Sequence, residues 1–138
     1  MNSKIIFYSA RKTSFCEKSL MKSFSELNLS LTDVSFSTDK SSLGKLLGEA
    51  FSECDIAFVI GGLGFDDDRA LPTIISQAVS GSEIDEYKKL RNPLGCDGYL
   101  LRADNQLLIL LPDEPEQIEA VMQGPVSRYI KSVMKKAV

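Results

Sequence analysis

The stretch Ile56-Ala57-Phe58-Val59-Ile60-Gly61-Gly62-Leu63-Gly64-Phe65-Asp66-Asp67-Asp68 decides how the chain is read. Five consecutive apolar residues describe a strand covered on both faces, which delivers its backbone into a loop with three glycines in four positions. Glycine permits positive φ and removes the side chains that keep a ligand off the main chain, so N–H groups there can face an anion. Asp66, Asp67 and Asp68 offer the oxygen donors a hard cation prefers, so one site could hold a phosphate and its metal. The competing reading is that the glycines only end the strand and the aspartates start a solvated helix. Composition alone does not separate the two.

Working outward, Lys4 to Ser9 is a short apolar run of the same strand type, and Cys16, Leu20, Phe24 and Leu27 follow at helical spacing. Thr13 or Ser14 is expected to cap that helix, with Glu17 three residues beyond Ser14. Leu29 to Phe36 reads as a second strand. Leu43, Leu46, Leu47, Ala50, Phe51 and Cys54 then form the cleanest helical stripe of the chain, behind Ser41 or Ser42 as cap. Asp55 to Ile60 is the central strand. Beyond the glycine loop, Leu71, Ile74, Ile75, Ala78 and Val79 form another stripe, which Pro72 can open and Gly81 ends.

Glu83 to Arg91 is polar and is expected to be a short helix or an ordered loop. Tyr99 to Arg102 and Gln106 to Leu111 flank the turn signal Ala103-Asp104-Asn105, which predicts an antiparallel hairpin. Leu111-Pro112-Asp113-Glu114-Pro115 closes the last strand and starts a helical region expected to break at Gly124. Strands alternating with helices give an α/β fold. The expectation is a three-layer αβα sandwich with a mostly parallel sheet and one antiparallel hairpin strand, a single domain over residues 1–138. Ligands of such sheets collect outside the carboxyl ends of the strands.

Composition narrows the chemistry. The chain has 138 residues, net charge -3 and no histidine, which removes Ser-His-Asp hydrolysis, Cys-His proteolysis and His-ligated zinc. Carboxylates, lysines, hydroxyls, backbone amides or a bound metal remain, a repertoire suited to phosphate chemistry. No basic stripe of the kind nucleic-acid binding requires is present. No window is apolar enough for a membrane span and no signal core precedes the first strand, so a cytoplasmic protein is expected. Cys16, Cys54 and Cys96 are odd in number and widely spaced, which argues against a disulfide framework or a CxxC pair. Cys16 and Cys54 continue apolar stripes and are expected to be buried thiols.

The loop matches neither GxxxxGK[ST] nor GxGxxG. The order of Gly61-Gly62-Leu63-Gly64, acids, Pro72, then Asn92 with Gly95 and Gly98, then Leu111-Pro112-x-x-Pro115 resembles the molybdopterin-binding domain. That domain is shared by molybdenum-cofactor biosynthesis proteins and the competence/damage-inducible family, and the resemblance covers nearly the whole chain. The family's first motif reads approximately TGG[TL]G followed by D-[VLI]-T-P, and its second LPGxP. Here Ile60 replaces the leading Thr, Arg69 and Leu71 stand at the Asp and Thr positions, Asp68 lies one place earlier, and Asp113 replaces the second motif's glycine.

The resemblance implies binding of molybdopterin or a related phosphorylated ligand, a trimer, and magnesium-dependent adenylyl transfer or pyrophosphate-bond hydrolysis in active members. Carried over by residue, Gly61, Gly62 and Gly64, with Leu63, cradle a phosphate. Asp67 or Asp68 binds Mg2+ and serves catalysis, supported by Asp66. Arg69, Asn92, Gly95 and Gly98 line the ligand site, and Pro112 and Asp113 border the pterin. Ser9, at the carboxyl end of the first strand, is a further candidate contact. Asp113 puts a negative charge where the backbone should approach an anion, a repulsion on the order of 1 kcal/mol or more unless a cation intervenes. Arg69 is the candidate for that cation. A non-catalytic binding or assembly module and a competence-type ADP-ribose-like pyrophosphatase are the alternatives.

Overall fold

The computed structural model describes residues 2–62, 84–95, 97–103 and 106–136. Its elements are β1 (Asn2–Tyr8), α1 (Thr13–Leu27), β2 (Ser30–Ser37), α2 (Lys40–Glu53), β3 (Ile56–Ile60), β4 (Ile84–Leu90), β5 (Gly98–Ala103), β6 (Gln106–Leu111), α3 (Pro115–Val121), a π turn (Met122–Val126) and α4 (Ser127–Lys136). The strands form one sheet in the order β2-β1-β3-β6-β5-β4. β1 pairs in parallel with β2 and β3, β3 in parallel with β6, and β5 runs antiparallel between β6 and β4.

Alternation along the central strands explains the layers. Ile5, Phe7, Ile56, Phe58, Ile60, Leu107, Ile109 and Leu111 face one side, where Cys16, Leu20 and Phe24 of α1 and Ile118, Val121, Met122, Val126 and Ile130 of the C-terminal helices cover them. Ile6, Tyr8, Ala57, Val59, Leu108 and Leu110 face the other side, against Leu43, Leu47 and Ala50 of α2. Register stacks Ile5, Phe58, Ile109 and Leu100 across four strands of the first face. Every residue of β3 is buried, as its unbroken apolar run predicts for a strand with helices on both sides. The three-layer α/β sandwich with a mostly parallel sheet is therefore the fold. Among the described residues, no helix is long and apolar enough to cross a membrane.

Four local expectations are corrected. Ile84–Leu90 is a strand, neither helix nor loop. It lies at the sheet edge, where Lys88 and Lys89 are exposed, and charge on an edge strand discourages pairing with another chain. The cap of α2 is Asp39, whose carboxylate accepts the Ser42 N–H at 2.8 Å, so Ser41 and Ser42 lie inside the helix. α1 has no side-chain cap. Lys12 precedes it in the left-handed conformation (φ 54°), and Thr13 and Ser14 are already helical. The chain does not break at Gly124: α3 passes into α4 through the π turn, which contains Pro125. The stripe from Leu71 to Val79 falls outside the described residues.

Candidate functional site

The strand order fixes where a site can form. From β1 the chain crosses to β2 on one side and later returns to β3 on the other, so the direction of winding reverses between β1 and β3. In open α/β sheets a crevice opens at the carboxyl ends of the two strands flanking such a reversal. Those ends are Ser9–Lys12 after β1 and Gly61-Gly62 after β3.

The two segments are in contact. Gly61 has φ +102°, and a Cβ there would stand 2.5 Å from the Tyr8 carbonyl oxygen and 3.3 Å from the Ala10 Cβ. Gly62 follows at φ 77°. The glycine at 61 is thus required by positive φ and by a close approach of β1, and its N–H donates to the Leu111 carbonyl at 2.9 Å. That amide is consumed within the fold, a correction to its expected role of facing a phosphate. Ser9 also has positive φ (47°); its N–H donates to the Ser37 carbonyl at 2.8 Å and its hydroxyl lies 3.5 Å from the Thr38 carbonyl.

From the far side, the β6–α3 turn reaches back across the end of β3. Arg11 donates its backbone N–H to Asp113 Oδ2 at 2.9 Å, and its Nε lies 3.5 Å from the same oxygen. Arg11 Nη2 stands 3.8 Å from Glu114 Oε1, and Lys12 Nζ donates to Glu114 Oε2 at 2.8 Å. The hydrogen bond to Glu114, reinforced by its charge, raises the Lys12 pKa above the ordinary lysine value. Among the described residues, Arg11 is the cation paired with the carboxylate at 113 and Lys12 is paired with Glu114, while Arg69, the sequence candidate for that role, lies outside the described residues. Beneath this strap, the buried Cys16 thiol is pushed up to about 11, first by desolvation and then by the charges of Asp113 and Glu114.

The Asn92–Gly98 loop joins the same end, because the β4 carboxyl end and the β5 amino end meet there. Buried Asn92 accepts the Leu94 N–H at 3.0 Å through Oδ1 and donates Nδ2 to Gln117 Oε1 of α3 at 2.9 Å, while its own N–H donates to Asp97 Oδ1 at 2.8 Å. A Cβ at Gly95 would meet the Gln117 side chain at 2.6 Å, and one at Gly98 would meet the Leu110 carbonyl at 2.4 Å. Asn92, Gly95 and Gly98 thus anchor the loop to β6 and α3, and the amide of Asn92 spends both ends on protein partners.

Of the sequence-derived candidates, Ser9, Gly61, Gly62, Asn92, Gly95, Gly98, Pro112 and Asp113 come together at this one end. Leu63, Gly64, Asp66, Asp67, Asp68, Arg69 and Cys96 lie outside the described residues. Among the described residues, no group of three or more acidic or thiol side chains is placed to hold a metal ion. Sequence reading missed Arg11, Lys12, Glu114 and Gln117. The available signal was two successive cations directly after a strand whose carboxyl end the topology makes a crevice.

Comparison with known proteins adds the following. No family model matches the chain, and no curated protein sequence matches it. Solved structures do. The protein CinA from Thermoplasma acidophilum is similar with a TM-score of 0.77 and 14% identity, over 94% of this chain and 99% of that one. The molybdopterin biosynthesis Mog protein from Mycobacterium ulcerans gives 0.70 and 19%, over 96% and 98%. The tungsten cofactor synthesizing protein MoaB from Pyrococcus furiosus gives 0.67 and 14%, over 99% and 96%. At these identities the likeness is one of fold: the chain has the fold shared by CinA, Mog and MoaB.

Proposed function

We propose that the protein binds a phosphorylated pterin, molybdopterin or a related nucleotide, at the carboxyl end of its sheet, and acts in or near molybdenum-cofactor biosynthesis. The observation that carries this reading is the reversal of winding between β1 and β3, with Ser9–Lys12 and Gly61-Gly62 on its two sides and the turns after β4 and β6 closing in from the far edge. The names borne by proteins of the same fold supply the ligand class. Fold by itself does not fix chemistry, so the reading rests on the site.

The described residues fit a phosphorylated ligand in two respects: Arg11 and Lys12 stand at the crevice, and Gly62 brings no side chain to it. Magnesium belongs to this reading through Asp67 and Asp68, where it would neutralise phosphate charge. A trimer belongs to it through the family resemblance.

The test is thermal unfolding of the purified protein with molybdopterin, ATP or ADP-ribose, each with and without magnesium. A ligand at a hundredfold its Kd stabilises the native state by about 2.7 kcal/mol. For a chain of this length that raises the melting temperature by roughly 8–10 °C. A shift with one ligand supports the reading and names the substrate to assay. Unchanged melting with all three at saturating concentrations refutes it.

A second reading, binding without turnover, is favoured by a specific observation. Asp113 stands where the family's second motif has glycine, and in this structure it and Glu114 pair with Arg11 and Lys12. It predicts a ligand-dependent shift with no release of pyrophosphate or AMP.

A further inference from the structure

We propose that Arg11, assisted by Lys12, is the phosphate-recognising cation of this site, that Asp113 and Glu114 hold the pair as resident competitors, and that the group they yield to is a di- or polyphosphate. The inference rests on the ligand-binding reading above and supplies the counter-charge that reading needs.

Place is the first argument. β1 and β6 are not neighbours, since β3 lies between them, so the strap from Arg11 to Asp113 spans the end of β3 directly beside the Gly61 turn. These charges therefore stand at the reversal point, where ligands of such sheets collect.

The second argument is that Arg11 serves Asp113 with two groups of unequal grip. Its backbone N–H holds Oδ2 at 2.9 Å, whereas its Nε stands 3.5 Å from the same oxygen, and its Nη2 stands 3.8 Å from Glu114 Oε1. The Arg11 side chain is 76% exposed and the Asp113 side chain 20%. The guanidinium can therefore swing to a ligand oxygen while Asp113 keeps its main-chain donor and is not left as a buried, unpaired charge. Lys12, in the left-handed conformation, is set beside it with Nζ on Glu114. An exposed ion pair contributes little to stability, so stability does not account for four charged groups gathered at this end.

The third argument concerns which anion succeeds. Two cations facing two carboxylates leave no net charge, and a ligand carboxylate offers the guanidinium nothing that Asp113 does not already provide. A phosphate presents more charge and a bidentate edge matched to the guanidinium fork, and a second phosphate engages Lys12 as well.

The test is calorimetric titration of inorganic pyrophosphate, with acetate as comparator, into the wild-type protein and the R11Q and D113N variants. Asparagine keeps an oxygen for the Arg11 amide, and melting temperatures within a few degrees of wild type verify that all three are folded. Pyrophosphate is expected to bind, R11Q to weaken it about three- to tenfold, and D113N to tighten it by a similar factor, with acetate inert. A purely structural ion pair would not give affinity changes of opposite sign. R11Q binding like wild type, D113N binding more weakly, or no pyrophosphate binding by either wild type or D113N at millimolar concentration overturns the inference. Molybdopterin, ATP and ADP-ribose titrated alongside separate it from the functional reading. Arg11-dependent pyrophosphate binding with none of the three bound leaves the inference standing and sinks that reading. One of the three bound equally well by R11Q does the reverse.

Discussion

Gly61→Ala sets the geometry of the β1–β3 crevice against a measurable energy. The residue sits at φ +102°, where an L side chain is strained by roughly 1–2 kcal/mol. Its new methyl would lie 2.5 Å from the Tyr8 carbonyl oxygen, which belongs to the backbone of a paired strand and has no rotamer to escape into. Relieving that overlap by moving β1 or β3 costs about 1–3 kcal/mol more. The sum, about 3 kcal/mol, corresponds to a loss of roughly 10 °C in melting temperature for a chain of this length. Urea unfolding followed by circular dichroism is the assay, with Gly48→Ala as the partner variant. Gly48 lies within α2 with open space where a Cβ would stand, so the same substitution there stabilises by about 0.5–1 kcal/mol. The two variants must therefore shift the midpoint in opposite directions. A Gly61→Ala midpoint within experimental error of wild type would show that the close approach to Tyr8 does not exist in solution.

Three further outcomes are expected. Asp39→Ala removes the carboxylate that accepts the Ser42 N–H and should cost about 1 kcal/mol in chemical denaturation, whereas Ser41→Ala and Ser42→Ala should cost less; equal losses would return the cap to the serines. Phe58→Ala empties the centre of the first core face, where its ring lies 4.9 Å from that of Phe24, and should destabilise by about 3–5 kcal/mol, and a loss under 1 kcal/mol would mean that β3 is not sandwiched. Because the native Cys16 thiol titrates near 11 against 9.0 in the unfolded chain, the folded state keeps its proton longer. Stability should be complete below about pH 9 and decline from there toward pH 11, and Cys16→Ser should flatten that part of a stability–pH profile.

The sequence was legible where burial is uniform. β3 and β6 are enclosed by helices on both faces, and an unbroken apolar run has no competing interpretation there; α2 carries a stripe with one buried face. It was less legible where the chain meets solvent. β4 reads as Ile-Asp-Glu-Tyr-Lys-Lys-Leu because an edge strand pairs on one side only and carries exposed lysines, so its composition imitates a loop. Caps were misplaced by one to three residues, since Asp39 and the serines behind it are all credible acceptors and only backbone geometry chooses among them. The pairing of Arg11 with Asp113 joins residues 102 apart, and no local pattern announces it. Asp113 read by itself looks like a defect of the ligand loop; beside Arg11 and Lys12 it is a neutralised partner.

The π turn at Met122–Val126 has a consequence for how the C-terminal segment tracks the sheet. Ile118, Met122, Val126 and Ile130 are all fully buried at intervals of four. In a regular α-helix four residues advance 400°, so a strict four-residue repeat drifts about 40° per step and would carry Ile130 a third of a revolution away from Ile118. The wider turn advances less per residue and subtracts phase in mid-course, which returns the stripe to the face of the sheet. Pro125 lies inside that turn, where the missing N–H falls in a stretch whose ladder has already changed step. Shortening the segment by one residue would restore α-helical pitch and leave Tyr129 and Ile130 on the face they already occupy, because eleven residues at about 100° each come within about 20° of three whole turns.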